Sequence, residues 1–208
     1  MMRLKVTLAL LVSGIFLAGC ATVVLPQGPD IYSLTPRSDA ATIVVARAVD
    51  QRIDKQKLGN ISALSLSMKA DPVELVGKEI VAALYEQGVN GRLEPVSSDN
   101  PDTFAEAARR VNADGVLALS IQSISVKSFD ALMDPPTCEL VLQATLYDRQ
   151  GKLAQSASET GHVRRRINSF ATEKSVGELV GEAAHDAAQR LVSRGSMAEA
   201  LKKLASSK

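Results

Sequence analysis

The sequence predicts an α+β domain in which a mixed, largely antiparallel sheet carries helices on one face, with elements in the order β-β-α-β-α-β-β-β-α. Several segments alternate apolar and polar residues with the period of two that is typical of strands. Other segments place apolar residues at helical spacing behind capping residues. The sequence Asp-Arg-Gln-Gly at 148–151 predicts a hairpin loop between two long strands, which favours this class over a doubly wound parallel sheet.

Six segments have the composition of strands. The first is β-branched and apolar, and a polar loop at residues 50–55 separates it from the second, which alternates apolar residues with serine. The fourth begins with apolar residues on both sides, which predicts cover on both faces. The predicted strands are residues 41–48, 61–68, 92–96, 116–126, 139–147 and 153–167.

Three segments have the pattern of amphipathic helices. Asp71 and Pro72 suit the start of the first, which ends at Gly88. The second begins at Asn100 and lies in the segment Ser97 to Asp114. The third is predicted at residues 175–191, where Ser175 and Glu178 can form a capping box, and a short tail helix is predicted at 197–204, beyond Gly195.

Composition places the chain among ordinary globular proteins. It has 208 residues, of which 46% are hydrophobic, so we expect one domain with a sizeable core. Aromatic residues make up only 3%, with no Trp, which argues against stacking platforms for bases or sugars. Removing Arg3 and Lys5 with the leader changes the formal net charge from +1 to about −1, and we expect no nucleic-acid partner.

The first nineteen residues have the pattern of an export leader. Arg3 and Lys5 precede an apolar run at 6–18, which is shorter than the ~20 residues that a membrane-spanning helix needs. The run ends in Leu17-Ala18-Gly19-Cys20, which resembles the lipobox that lipoprotein signal peptidase recognises. The resemblance implies cleavage before Cys20 and acylation of its thiol, with palmitate-type chains. The alternative is an uncleaved helix with a chance cysteine.

The leader sets the expected domain organisation and location. Residues 1–19 are the predicted signal peptide, 20–40 a lipidated cysteine and extended tether, 41–195 the periplasmic domain and 196–208 a tail. Tyr32 and Leu34 either pack on the domain or are simple tether residues. Ala21 follows the cysteine, and by resemblance to enterobacterial sorting this favours the outer membrane over the inner membrane, on the periplasmic side.

Two polar clusters are candidate contacts for a partner. Asp50, Arg52 and Asp54 share one side of an extended segment, where Arg52 either contacts a partner or is held in a local ion pair that shapes the loop. His162, Arg164 and Arg166 share one face of the last strand. That cluster either binds an anionic partner or guards an edge strand against strand addition.

We expect no enzyme, metal site or cofactor. The chain has two histidines, His162 and His185, without further ligands at the spacing of a zinc site. The sequence contains no nucleophile elbow, phosphate loop or dinucleotide fingerprint, so a hydrolase would need a nucleophile brought beside a histidine by the fold. Cys138 is expected to be a buried thiol, with an intermolecular disulfide as the alternative.

The order of elements, the lipobox and the Asp50-Gln51-Arg52-Ile53-Asp54 stretch together resemble the YajG family of bacterial lipoproteins. The second helix and the strand after residues 112–115 are similar to periplasmic domains of the CsgG, LpoB and TolB N-terminal type. These resemblances imply a non-enzymatic, membrane-anchored module that binds another envelope protein or a cell-wall polymer, in an unknown oligomeric state. The alternative is an accessory lipoprotein of an envelope transport system for lipids or small molecules.

Overall fold

The computed structural model describes residues 20–61, 64–96, 100–128, 134–166 and 173–205. The predicted leader with Leu17, Ala18 and Gly19 lies outside this range, as do residues 97–99 and Ile167. The strands are β1 Cys20–Val23, β2 Thr42–Ala46, β3 Val49–Asp50, β4 Lys57–Ile61, β5 Leu64–Met68, β6 Asn90–Glu94, β7 Gly115–Ser128, β8 Thr137–Asp148 and β9 Leu153–Arg164. The helices are α1 Val73–Glu86, α2 Pro101–Arg110, α3 Glu173–Ser193 and α4 Gly195–Ala205, and a short 3-10 helix spans Ile31–Ser33.

The sheet is organised around β7, its long central strand. β8 and β9 follow on one side as antiparallel neighbours, joined by the predicted hairpin at residues 148–151, which is confirmed. On the other side β2, β3 and β4 lie in line, each parallel to β7. Beyond this line the sheet divides, because β6 pairs with β2 at one end, whereas β5 and then β1 continue from β4 at the other.

The core has two parts, one on each face of the sheet. The larger part joins apolar side chains of α1, α3 and α4 to the sheet, including Leu84, Leu179 and Leu201. The smaller part places Phe104 and Ala108 of α2 against Val44, Ala46 and Val116 on the opposite face. The predicted α+β class with a mixed sheet is therefore confirmed, but α2 does not share the face of the other helices.

Two helix boundaries differ from the prediction. α3 begins at Glu173, so Ser175 and Glu178 lie inside the helix and do not form a capping box; the Glu178 carboxylate instead pairs with Arg165. α4 begins at Gly195, whose φ of 60° permits the sharp break after α3. Met197 and Leu201 of α4 are buried in the larger core, so this helix is part of the domain and not a tail.

Residues 20–37 lie against the domain, in contrast to the predicted extended tether. β1 pairs in parallel with β5, and the chain after it passes over α3, where Gly177 and Gly181 leave room for Val24 and Pro26.

Further contacts hold the rest of the segment: Lys78 Nζ donates to the carbonyl of Gln27 at 3.2 Å, and the Arg37 guanidinium lies 4.7 Å from the ring centre of Tyr85. Leu34 packs on the core, whereas Tyr32 is 81% exposed.

The close approach at Gly177 provides a test of this packing. A Cβ at this position would lie 1.7 Å from the Val24 carbonyl oxygen, so we expect Gly177→Ala to displace residues 20–26 from α3. Alanine otherwise favours a helix over glycine by ~1 kcal/mol, so a free N-terminal segment would make the variant more stable. Hydrogen exchange should show faster exchange of the β1 amides than in the wild type or in the surface control Lys174→Ala. Unchanged β1 protection in a stabilised variant would contradict the packing.

Candidate functional site

Cys20 lies at one end of the sheet, in a row of residues that crosses six strands. Its side chain is exposed, and β1 is the outermost strand beyond β5, so the thiol points into solvent at a sheet corner. The strand register aligns this row without interruption from β1 to β9. Its members are Cys20, Ser65, Asn60, Lys127, Thr137 and Arg164. We call this row, with the flanking residues Asp134 and Arg166, the Cys20 rim.

The second cysteine has the opposite environment. Cys138 is fully buried in the larger core, and burial, assisted by the nearby Glu139 carboxylate, raises the pKa of its thiol to about 12. A protonated thiol without solvent contact is a poor nucleophile. In protein that carries no acyl chain, reagents for thiols should therefore reach Cys20 and spare Cys138.

Two members of the predicted basic cluster on the last strand, Arg164 and Arg166, lie in the Cys20 rim, and one of them is paired with a carboxylate. Arg164 bonds to the Asp134 carboxylate, and Arg165 bonds to Glu178 and Glu182 of α3. His162 lies beside Glu139, with 3.4 Å between Nδ1 and Oε1. Arg166 is exposed.

The edge of β9 is partly closed by α3. The backbone N–H of His162 donates to the Asp186 carboxylate at 2.9 Å, so an outward donor of this edge strand is occupied by a side chain. Burial alone would raise the pKa of Asp186, but the hydrogen bonds from Arg190 and from the His162 backbone hold it below its usual range. These contacts close part of the β9 edge to strand addition.

The Asp50 and Arg52 pair is enclosed in the loop between β3 and β4. Nε and Nη2 of Arg52 donate to the two carboxylate oxygens of Asp50 at 2.9 and 2.8 Å, and the side chains are only 4% and 9% exposed. Burial would raise the pKa of Asp50, but the side-chain and backbone hydrogen bonds from Arg52 hold it below its usual range. Asp54 does not join the pair, because its carboxylate accepts the backbone N–H groups of Gln56 and Lys57.

The burial of this pair bears on the two interpretations of Arg52 and leaves little of its side chain for a partner. The guanidinium is too enclosed to reach another molecule, and its Nη1 is buried without a hydrogen-bond partner among the described residues. Such a buried bidentate pair fixes the path of the backbone between β3 and β4, where the row of strands beside β7 has a gap. The alternative interpretation, an ion pair that shapes the loop, agrees with the structure.

An open sheet edge lies at β6, a feature that the sequence analysis did not single out. Among the described strands β6 pairs with β2 alone, and Asn90 donates its N–H toward that side, to the carbonyl of Ala41. Because parallel pairing alternates along a strand, the N–H and C=O groups of Gly91 and Leu93 point away from β2. The outward edge of β6 therefore presents donors and acceptors to an added strand.

Two grooves flank this edge, and exposed Tyr32 lies between them. One has a volume of about 640 Å³ and is lined by Val73, Leu93 and Pro95, with Asp71 and Glu74 at its border. The other, about 580 Å³, is lined by side chains that include Val81, Tyr85 and Leu93. The signal available in the sequence was weak, because Tyr32 stands in a segment rich in proline and glycine and Leu93 in a strand of only five residues.

Both histidines lie beside carboxylates in the described part of the chain. His185 Nδ1 lies 3.0 Å from Glu79 Oε2 between α1 and α3, and burial raises the pKa of Glu79 against the opposing hydrogen bond from His185. The side-chain neighbours of His162 and His185 in the described hydrogen bonds and ion pairs are carboxylates, and no serine, threonine or cysteine takes part. Within the described ranges no group of three or more His, Cys, Asp or Glu side chains is placed to hold a metal ion.

The length and charge of the helices decide whether any of them could cross a membrane. α3 has 21 residues but carries charged side chains along its length, and no helix in the described part of the chain is both long and apolar enough to span a bilayer.

Comparisons with known proteins show a shared fold. No family model and no curated protein matches the chain in sequence. The PelC dodecamer from Paraburkholderia phytofirmans is similar at a TM-score of 0.50 and 14% identity, over 81% of this chain and 93% of that one. Protein XCC0632 from Xanthomonas campestris gives 0.48 and 14%, over 83% and 91%. Lipoprotein GNA1162 from Neisseria meningitidis gives 0.37 and 14%, over 62% and 88%.

The likeness to PelC defines the class of the chain by its fold alone, an α+β domain. At such low identity the comparisons concern the fold alone. The resemblance to the YajG family remains a prediction.

Proposed function

We propose that this protein is a lipid-anchored, non-catalytic module of the bacterial envelope that binds an extended segment of another envelope protein along the open edge of β6. The anchor is Cys20, acylated after removal of residues 1–19, and the compartment is the periplasmic side of the outer membrane. The position of Cys20, exposed at a sheet corner and the last residue of the lipobox-like stretch, supports this proposal.

The chemistry of the β6 edge indicates the kind of partner. A strand added beside β6 would bond to the outward groups of Gly91 and Leu93, and its alternate side chains would enter the flanking grooves. Leu93 lines both grooves, and Val73 and Val81 supply further apolar surface. On the same strand Glu94 is paired with Arg92 and Arg110, so the charges there are already satisfied within the domain.

The experiment uses Tyr32, because its exposed ring can be removed without disturbing the core. We expect Tyr32→Ala, in the membrane-anchored protein, to weaken strand addition by about tenfold, since a large aromatic side chain at a contact commonly contributes 1–2 kcal/mol or more. A crosslinker placed at Arg92 should capture one partner protein from cells. A synthetic peptide with the sequence of the captured segment should compete with that protein for binding.

Ile53 supplies a matched control, since it is a fully exposed apolar residue on the β3–β4 loop. Ile53→Ala should bind the peptide like the wild type. The proposal fails if Tyr32→Ala and Ile53→Ala bind equally well, or if the captured segment is helical when bound.

A second candidate function is that of an accessory lipoprotein in lipid or small-molecule transport. The grooves of about 640 and 580 Å³ favour it, since their size matches small-molecule sites. Native mass spectrometry of the protein purified from membranes distinguishes the two functions. A lipid that co-purifies with the wild type and is absent from Leu93→Lys supports the transport function. A wild-type protein that carries no ligand and still binds the peptide supports the strand-binding module.

A further inference from the structure

We infer that the domain is seated directly on the bilayer, with the Cys20 rim against the phospholipid headgroups, and does not hang from a flexible tether. This inference rests on the proposed acylation of Cys20. It adds an orientation, a contact surface and a partner of defined chemistry, the phosphate-bearing surface of the membrane.

The first step is the lack of free chain behind the anchor. Eighteen extended residues would allow a domain to move by about 60 Å from its lipid. Here Cys20 is already paired with Ser65, and the following segment is held by Gly177, Lys78 and Asn90. Acyl chains on the Cys20 thiol therefore draw the sheet corner itself to the membrane surface.

The second step is the chemistry of the surface beside that corner. The residues that share the row with Cys20 are all polar or basic, and the side chains of Lys127, Arg164 and Arg166 are exposed. Asp134 pairs with Arg164, whereas neither Lys127 nor Arg166 has an ion-pair partner in the described part of the chain. Ammonium and guanidinium groups without such partners suit phosphate oxygens, so the described part of this surface suits the headgroup layer of a membrane.

The third step is what the orientation does for the rest of the domain. β6 pairs with β2 beside Gly115 and Leu117, near the other end of β7 from Lys127. Ten residues of strand separate Leu117 from Lys127, which corresponds to about 33 Å. A domain seated on the rim therefore holds the β6 edge and Tyr32 well clear of the lipid, open to the periplasm.

The experiment measures membrane contact at both ends of the sheet in the acylated protein. Single cysteines are introduced by Lys127→Cys or Arg166→Cys at the rim, and by Gln150→Cys in the hairpin at the opposite end. Each carries an environment-sensitive fluorophore, which labels only the new site because Cys20 is acylated and Cys138 is buried. The protein is reconstituted in liposomes of phosphatidylethanolamine and phosphatidylglycerol that contain a headgroup-linked quencher.

We expect both rim probes to lose most of their fluorescence to the quencher and the probe at 150 to keep it. A matched set of liposomes without phosphatidylglycerol should reduce rim quenching, and inorganic phosphate in solution should not, which separates a membrane surface from free phosphate. Equal quenching at the two ends, or none at either rim position in protein that floats with the liposomes, overturns the inference. Protein that carries no acyl chain and does not float contradicts the anchor itself, a failure that is distinct from a wrong orientation.

Discussion

Replacing Cys20 with serine should move the whole protein from the membrane fraction to the soluble fraction or leave it as an unprocessed precursor. Each buried methylene contributes about 0.8 kcal/mol, and more than one acyl chain makes attachment stable, so the loss of the thiol removes the acyl anchor and a processed chain should leave the membrane. The side chain at position 20 is exposed and β1 pairs through its backbone, so the fold should be unchanged. Fractionation and the electrophoretic mobility of the processed form measure the outcome.

Cys138→Ala serves as the control for this prediction. It removes the other thiol of the chain, and the variant should stay acylated and membrane-bound although its core is less well packed. Retention of Cys20→Ser in the membrane, at the size of the processed wild type, would contradict the anchor.

Replacing Asp50 with alanine should cost about 3–5 kcal/mol of unfolding free energy, because it leaves the Arg52 guanidinium buried without its counter-charge. Urea unfolding of the purified protein at neutral pH measures the loss. Asp54→Ala is the matched control, since Asp54 is an exposed carboxylate on the same loop that accepts only two backbone N–H groups. The loss in the control should be several-fold smaller. Similar losses in both variants would contradict the assignment of Arg52 to the interior.

The effect of Asp50 should depend on pH in a defined direction. Its pKa in the folded protein is below that of an ordinary aspartate, 3.8, so its stabilisation is fully present above that pH and is lost as the pH falls through the folded pKa. The difference in stability between the wild type and Asp50→Ala should be constant from pH 5 to 7 and should shrink as the solution is made more acidic than about pH 4.

Strands with strong local patterns were predictable from the sequence. β8 alternates apolar and polar residues along its length, and its apolar face lies in the larger core with α3. β4 was missed because Gly59 interrupts its pattern. That glycine has a φ of 131°, and a Cβ there would lie 2.0 Å from the carbonyl oxygen of Val126. The residue therefore serves a close approach between strands that no local periodicity reveals.

Long-range contacts account for the other differences. β1 has only four residues, and its pairing with β5 depends on room at Gly177, far away in the sequence. The position of α2 was not predicted. Alternate residues of the continuous apolar run of β2 enter opposite cores, but the pattern does not say which helix covers which face.

The candidate site was predictable only where it is local. Asp50 and Arg52 were recognised as neighbours on one side of an extended segment, and the structure brings them together. Their burial depends on the gap between β2 and β4, which the sequence does not display. The β6 edge was hidden for the same reason, since an edge is defined by the strands that do not pair with it.

The anchor is tested most directly by mass spectrometry of the N-terminal peptide of the protein purified from membranes. The account predicts that the mature chain begins at Cys20 and carries diacylglycerol on its sulfur and an acyl group on its amine. A peptide that runs unbroken through Gly19 and Cys20, with an unmodified thiol, would contradict it.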